Sequence, residues 1–314
     1  ALSYARFEIN GYPKWFWPVV RAHQTVALDV FRHVLEAASV GKVSADKADA
    51  LIRHLSDAPT AVQHGLSATA WGYATCSAQI EAYALESALG IAAGDGNGID
   101  QGAFEAEAWL RMFAAFKDEL PDMEALTQPQ TPQEQAARSE LERRVRELAR
   151  LRSNGVVWGL FWLQHYPASF AAKWESWRAT QQHAANDFMF DLAAYIGQDR
   201  QARLREIAHR GLDGLKILAV LSEWVMTVVQ EKDDLTHEDG RVYHVGARDH
   251  AQRLRDSLLP AIASAKSQAA YEVLDDLRKK ATGTRAKFIR FLQFQMREEE
   301  AFVPPLKQQN YPRF

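Results

Sequence analysis

The segment VVRAHQTVALDVFRHVLEAA, residues 19–38, shows the pattern that decides the fold of this chain. Its large apolar side chains recur mostly at spacings of three, four and seven residues, which places them on one face of an α-helix. Pro18 suits the first turn, where a missing backbone N–H costs little, and Gly41 suits the end. The pattern therefore predicts an amphipathic helix with one buried face. The residues on that face are Val19, Val20, Val26, Val30, Phe31, Val34 and Leu35.

Helical patterns also dominate the rest of the chain. Alanine, leucine, glutamate, arginine and glutamine are abundant, and these residues favour helices. Alternating runs with β-branched residues, which are typical of strands, are almost absent. We therefore predict an all-α fold, a helical array of solenoid-like stacked helix pairs. The further helices are predicted near residues 45–55, 60–91, 103–117, 133–153, 155–164, 168–196, 199–209, 212–230, 247–265, 268–280 and 284–300.

The stretch ELPDMEALTQPQTPQ, residues 119–133, contains three prolines and is the best linker in the chain. It predicts an N-terminal helical subdomain over residues 1–118 and a C-terminal helical subdomain over residues 134–314.

A short aromatic phrase occurs twice along the chain. YPKWF at residues 12–16 is similar to YPASF at 166–170. Each of these is followed by one of a second pair of similar phrases, ALDVFRHVLEAA at 27–38 and ANDFMFDLAAYI at 185–196. This recurrence predicts an internal repeat of helical units that stack on one another. In that interpretation Trp15, Phe16 and Trp17 are a wedge between neighbouring helices. The alternative is a stacking clamp for a base or a cofactor.

Composition and charge limit the classes of partner. The formal net charge is −3 and the isoelectric point is about 6.4, so we expect no general binding to nucleic acid or to anionic membranes. The longest uncharged segment, residues 153–172, contains an apolar run too short to span a bilayer.

The chain begins without methionine and without a signal peptide, so we expect processing or a piece of something larger. A single cysteine, Cys76, suits a reducing compartment, which predicts a cytoplasmic protein with this thiol buried.

One stretch concentrates residue types that bind metals. DDLTHEDGRVYHVGARDH, residues 233–250, holds five carboxylates and three histidines. The candidate ligands are Asp233, Asp234, His237, Glu238 and His244. The histidines are six and seven residues apart, which does not place them one helical turn from each other. The segment is therefore either an acidic loop between helices or the site of an all-α metal-dependent enzyme. No catalytic residue and no cofactor site is predicted elsewhere.

The stretches YPKWFWPVVRAHQTVALDVFRHVLEAA, residues 12–38, and HVGARDHAQRLRDSLLPAIASAKSQAAYEVLDDLRKKATGTRAKFIRFLQFQMREEE, residues 244–300, carry a family resemblance. The chain resembles the helical C-terminal regions of large bacterial signal-transduction NTPases of the STAND or NACHT-like kind. The resemblance implies a sensor or scaffold that recognises another protein, often a phage component, and controls an effector elsewhere. Because the chain lacks the P-loop pattern G-x-x-x-x-G-K-[ST], the NTPase would have to lie upstream. The first hypothesis is thus a non-enzymatic protein-interaction module with a protein partner.

Overall fold

A computed structural model describes residues 12–76, 79–94, 99–118, 131–230 and 246–298 of the chain. Within these ranges it contains fourteen α-helices and no β-strand. The predicted all-α helical array is therefore confirmed. The chain divides into two compact units, Ala1–Phe161 and Trp162–Phe314. Residues 119–130 lie outside the described residues, so the linker predicted at 119–133 and the subdomains on either side of it stay a prediction.

The first unit is built from six helices and part of a seventh. They are α1 (Phe16–Ala22), α2 (Gln24–Ser39), α3 (Ala45–His54), α4 (Thr60–Cys76), α5 (Ala82–Ala93), α6 (Gln101–Phe116) and α7 (Pro132–His165). Helix α4 packs against both α2 and α5, and α3 packs against α5. Of the side chains predicted on one buried face, Phe31, Val34 and Leu35 are almost completely buried, but Val19 and Val26 are 42% and 64% exposed. The single helix predicted over residues 19–38 was also wrong, because α1 ends at Ala22 and α2 begins at Gln24.

A buried carboxyl group ties three helices of this unit together. Asp49 on α3 is fully buried. Its Oδ1 accepts a hydrogen bond of 2.5 Å from the hydroxyl of Tyr73 on α4. Its Oδ2 accepts one of 2.9 Å from the backbone N–H of Glu81, the residue that precedes α5. Burial raises the pKa of Asp49 to about 6, even though both hydrogen bonds favour the ionised form.

That hydrogen bond explains why one predicted helix is two. The pattern over residues 60–91 predicted a single helix, and this was wrong because α4 ends at Cys76 and α5 begins at Ala82. Glu81 has an extended backbone and is held by the Asp49 carboxyl, which comes from a distant part of the chain. The helix that was predicted over residues 168–196 is likewise interrupted, at Gln181, where φ is −141° and ψ is 63°.

Helix α7 shows the opposite correction, because the separate helices predicted at 133–153 and 155–164 are one continuous helix. Gly155 does not end it. A Cβ atom added to Gly155 would lie 2.7 Å from the Cβ of Ala115 on α6. Glycine at this position therefore allows α6 and α7 to approach closely, and it does not form a turn.

Aromatic rings fill the space next to this contact. Trp158 on α7 lies 5.7 Å from both Trp71 and Phe104, measured between ring centroids, and Phe104 lies 5.4 Å from Phe161. Trp158 and Phe104 are almost completely buried. Large buried rings of this kind contribute strongly to packing, so α4, α6 and α7 share one core.

The second unit begins at the last turn of α7 and contains the remaining helices. They are α8 (Pro167–Thr180), α9 (Gln182–Ile196), α10 (Arg200–Ala208), α11 (Leu212–Val228), α12 (Ala247–Ser264), α13 (Gln268–Lys280) and α14 (Gly283–Glu298). Helix α12 packs against α9, α10, α11, α13 and α14, and it is therefore the central element. Its inner residues Leu254, Leu258 and Leu259 are buried.

The core of the second unit is rich in tryptophan. Trp162, Trp174 and Trp177 are each at most 2% exposed. The indole N–H of Trp162 donates to the hydroxyl of Ser169 over 2.7 Å, and thus one buried polar group is satisfied within the unit. Trp162 and Trp177 combine large apolar area with an indole hydrogen bond, whereas the buried indole N–H of Trp174 has no hydrogen-bond partner among the described residues.

Candidate functional site

The predicted metal ligands cannot be placed by the structure. Asp233, Asp234, His237, Glu238 and His244 all lie outside the described residues. The metal-dependent enzyme therefore stays a prediction. Within the described ranges, no three histidine, cysteine, aspartate or glutamate side chains come together in a way that would hold a metal ion.

The aromatic residues at the start of the chain only partly form the predicted wedge. Phe16 is 4% exposed and stacks on Tyr12, with ring centroids 3.9 Å apart and planes 11° apart. The ring of Trp17 meets Phe16 edge-on at 5.0 Å. Trp15, in contrast, is 49% exposed, so its predicted role in the wedge was wrong. Phe16 and Val20 are one helical turn apart and share the buried face of α1, and Trp15 precedes that helix.

The prediction of a buried cysteine was also wrong. Cys76 is exposed, because it is the last residue of α4 and lies beyond the buried positions of that helix. No helix among the described residues has both the length and the apolar character that crossing a membrane requires.

The first part of α7 lies at the surface over its whole circumference. None of the residues 132–151 is buried, and the apolar side chains of Leu141, Val145 and Leu148 are only half-buried. Ion pairs along the helix, such as Arg143 with Glu147 at 2.7 Å, contribute little each at this exposure. This surface is polar apart from one narrow apolar stripe.

Helix α14 carries a more pronounced apolar surface. Phe291 and Phe294 are 52% and 54% exposed, and the ring of Phe288 stacks on that of Phe291 at 6.5 Å. We call these three residues the α14 aromatic face. The opposite side of the helix is buried through Ile289, Leu292 and Met296. Two exposed phenylalanines on one helix form an apolar patch of the kind that marks binding surfaces.

Cationic side chains accompany the α14 aromatic face along most of its helix. Lys287 and Arg290 are exposed on the same helix, and no acidic residue occurs between Gly283 and Arg297. The guanidinium of Arg297 lies over the ring of Tyr271, 5.2 Å from its centroid. The face is therefore apolar with exposed cations beside it as far as Arg297, before the helix ends at Glu298, and this favours an acidic partner.

The second unit also contains a pocket of about 500 Å³ at the end of α11. Its charged lining residues come from four helix segments: Glu223 from α11, Arg255 from α12, Lys280 from the end of α13 and Arg285 from the start of α14. The other lining residues are Met226, Thr227, Val229, Gln230, Ala281 and Thr282.

Hydrogen bonds fix the two guanidinium groups of this pocket. Arg255 is 3% exposed, and it donates over 2.9 Å to the carbonyl oxygen of Val229 and over 3.0 Å to the carboxylate of Asp256. Arg285 donates over 2.8 Å to the carbonyl oxygen of Arg255 and lies 3.7 Å from the same carboxylate. These contacts join the end of α11 to α12 and α14 along the inner wall of the pocket.

The mouth of the pocket is formed by an exposed ion pair. The ammonium group of Lys280 lies 2.7 Å from a carboxylate oxygen of Glu223, and the two side chains are 61% and 41% exposed. Sequence reasoning missed both this pair and the arginines behind it. Each residue lies in an ordinary amphipathic helix pattern, and only the packing of four segments brings them together. No family model matches the chain, and neither a curated protein nor a solved structure matches it.

Proposed function

We propose that the chain is a non-enzymatic helical protein-interaction module that binds an acidic segment of a partner protein on the α14 aromatic face. The observation that carries this proposal is the exposure of Phe291 and Phe294, each more than half accessible, on a helix whose other side is buried. Aromatic side chains that become desolvated are the usual centres of binding energy in protein interfaces. Their exposure in the free chain supports a role in docking.

Charge determines the kind of partner. Lys287 and Arg290 border the aromatic face, and the helix has no carboxylate between residues 283 and 297 to offset them. A partner segment with Asp or Glu beside apolar residues gains attraction at the border and burial at the centre. A basic segment meets repulsion, so the same pattern that attracts one partner discriminates against another.

The proposal extends to a sensor or scaffold role within a larger bacterial signalling or anti-phage defence protein, located in the cytoplasm. The resemblance of residues 12–38 and 244–300 to the helical regions of STAND or NACHT-like NTPases supports this part. In such an arrangement the chain recognises the partner and another region responds.

We further propose that the helix pairs α1–α2 and α8–α9 are copies of one repeat unit. Each pair is joined by a single non-helical residue with nearly the same backbone, His23 with φ −131° and ψ 50° and Gln181 with φ −141° and ψ 63°. When these residues are aligned, buried Phe31 falls on buried Met189 and buried Val34 falls on buried Leu192. The matching burial supports a repeated helical unit, whereas the joint alone does not, because Tyr166 between α7 and α8 has nearly the same backbone, φ −135° and ψ 59°.

Site-specific photo-crosslinking tests the docking surface. The probe is the full chain with p-benzoylphenylalanine in place of Phe291, irradiated in an extract of the source cells. The matched control carries the same group in place of Leu110, which is 60% exposed on α6. We expect a discrete crosslinked protein from position 291 that position 110 does not give, with an acidic segment at the crosslink.

Charge reversal provides the second arm of this experiment. Lys287→Glu in the crosslinking chain is expected to lower the yield at least fivefold, whereas Lys216→Glu, an exposed site on α11, leaves it unchanged. The proposal would be contradicted by equal crosslinked products from positions 291 and 110, or by a crosslinking yield that Lys287→Glu does not change.

A further inference from the structure

We propose that the pocket at the end of α11 binds a small organic phosphate. This inference concerns a different surface from the α14 aromatic face and does not depend on the proposed interaction function. It follows from the charge of the lining side chains, their fixed geometry, the adjoining start of α14 and the size of the space.

The charge of the pocket favours an anion. Three cationic side chains, Arg255, Lys280 and Arg285, and one carboxylate, Glu223, line it. Asp256 does not line the pocket but pairs with both arginines, so it neutralises one further charge. An excess of one positive charge remains, and it is concentrated where segments from α12, α13 and α14 meet. A doubly charged phosphate group compensates this excess better than a neutral ligand does.

The start of α14 lies next to the pocket. Ala281 and Thr282, the two residues directly before this helix, are part of the pocket lining. The first N–H groups of an α-helix have no partner within the helix, and its N-terminal end carries a partial positive charge. Helix starts with this property bind phosphate when cationic side chains lie nearby. Here Lys280 precedes the helix start and Arg285 follows it.

The remaining lining suits the organic part of such a ligand. Met226 and Ala281 supply apolar surface, and Gln230 and Thr227 supply hydrogen-bonding groups. A volume of about 500 Å³ far exceeds the needs of inorganic phosphate and lies within the range of small-molecule sites, roughly 300–1,000 Å³. The pocket therefore fits a phosphorylated molecule of nucleotide size better than a free inorganic ion.

The inner and outer cations have different roles in this site. The guanidinium of Arg255 is occupied by Val229 and Asp256, so it fixes the wall and contributes its charge. Lys280 is exposed and its partner Glu223 is partly exposed, so its ammonium group is able to exchange that carboxylate for a ligand phosphate. Glu223 thus competes with the ligand for Lys280, and removal of its charge is expected to strengthen binding.

Isothermal titration calorimetry on the full chain tests the inference with ADP, inorganic phosphate and uncharged adenosine as probes. We expect ADP to bind more tightly than phosphate, and adenosine to bind at least tenfold more weakly than ADP. Lys280→Gln is expected to weaken ADP binding about tenfold. Glu223→Gln is expected to strengthen it several-fold, because the competing carboxylate becomes neutral.

The adjacent lysine provides a matched control. The ammonium group of Lys279 lies 2.7 Å from Asp276 and 3.3 Å from Asp275, and it does not line the pocket. Lys279→Gln removes the same charge one residue away and is expected to leave ADP affinity unchanged. Equal effects of the two lysine substitutions, equal binding of ADP and adenosine, or no binding of either phosphate would each overturn the inference.

Discussion

Substitution of Asp49 by asparagine gives the sharpest test of how the first unit is held together. The carboxyl group is fully buried and accepts hydrogen bonds from the Tyr73 hydroxyl and the Glu81 backbone N–H. An asparagine side chain has nearly the same size as the aspartate it replaces. Its oxygen is able to accept from Glu81, and its amide group is able to donate to the hydroxyl oxygen of Tyr73. The main loss in Asp49→Asn is therefore the ionisable group itself.

The magnitude follows from the pKa of this carboxyl. Burial raises the pKa of Asp49 from 3.8 to about 6, so the folded state binds a proton more tightly than the unfolded state does. Its contribution to the free energy of unfolding is fully present below pH 3.8 and is lost as the pH rises through 6. The shift corresponds to about 3 kcal/mol over the whole range, and about 2 kcal/mol of it falls between about pH 4 and pH 7.

Urea unfolding followed by tryptophan fluorescence at pH 4, 5, 6 and 7 measures this effect. The free energy of unfolding of the wild type minus that of Asp49→Asn is expected to fall by about 2 kcal/mol from pH 4 to pH 7. Asp57→Asn is the control, because this carboxylate in the same unit is exposed, and its difference from the wild type is expected to be constant. A difference for position 49 that does not change with pH would refute the role of burial.

Three further predictions concern the first unit. Gly155→Ala is expected to lower the free energy of unfolding by about 1–3 kcal/mol, because the added Cβ meets Ala115. Gly90→Ala is expected to raise the free energy of unfolding by up to about 1 kcal/mol, because the space around this helical glycine is open. Urea unfolding of both variants measures these changes. Cys76 is expected to react with a thiol reagent in the absence of denaturant, and a thiol that reacts only after unfolding would show that it is covered. Tyr73→Phe is expected to lower the free energy of unfolding by about 1 kcal/mol through the lost hydrogen bond. It is also expected to shift the pH dependence of stability to higher pH, because this hydrogen bond lowers the pKa of Asp49. The same urea series detects both changes.

The helices that sequence patterns predicted well are those whose burial follows local spacing. The second half of α2 is the clearest case, since Phe31, Val34 and Leu35 are buried as predicted, whereas Val26 in its first half is exposed. The break between α4 and α5 was missed because it lies in a segment without proline or glycine and depends on a hydrogen bond from Asp49, more than thirty residues away. The separate helices predicted at 133–153 and 155–164 are one, and Gly155 lies inside it where α7 closely approaches Ala115 of α6.

The surfaces of functional interest were harder to predict than the fold. Spacing alone does not distinguish Phe291 and Phe294, which are exposed, from Leu292, which is buried on the same helix. The pocket depends on Glu223 and Lys280, two residues 57 positions apart that only the tertiary structure brings together. Sequence reasoning instead selected residues 233–244 for their composition, and that segment lies outside the described residues.

The continuity of α7 affects how the chain can be divided in the laboratory. The change from one compact unit to the next falls between Phe161 and Trp162, about one turn before the end of this helix. A fragment that stops there loses the partners of its last backbone carbonyls and exposes the ring of a core residue to water. Dissection experiments should therefore keep the helix intact through His165 in an N-terminal fragment, and start a C-terminal fragment no later than Val156.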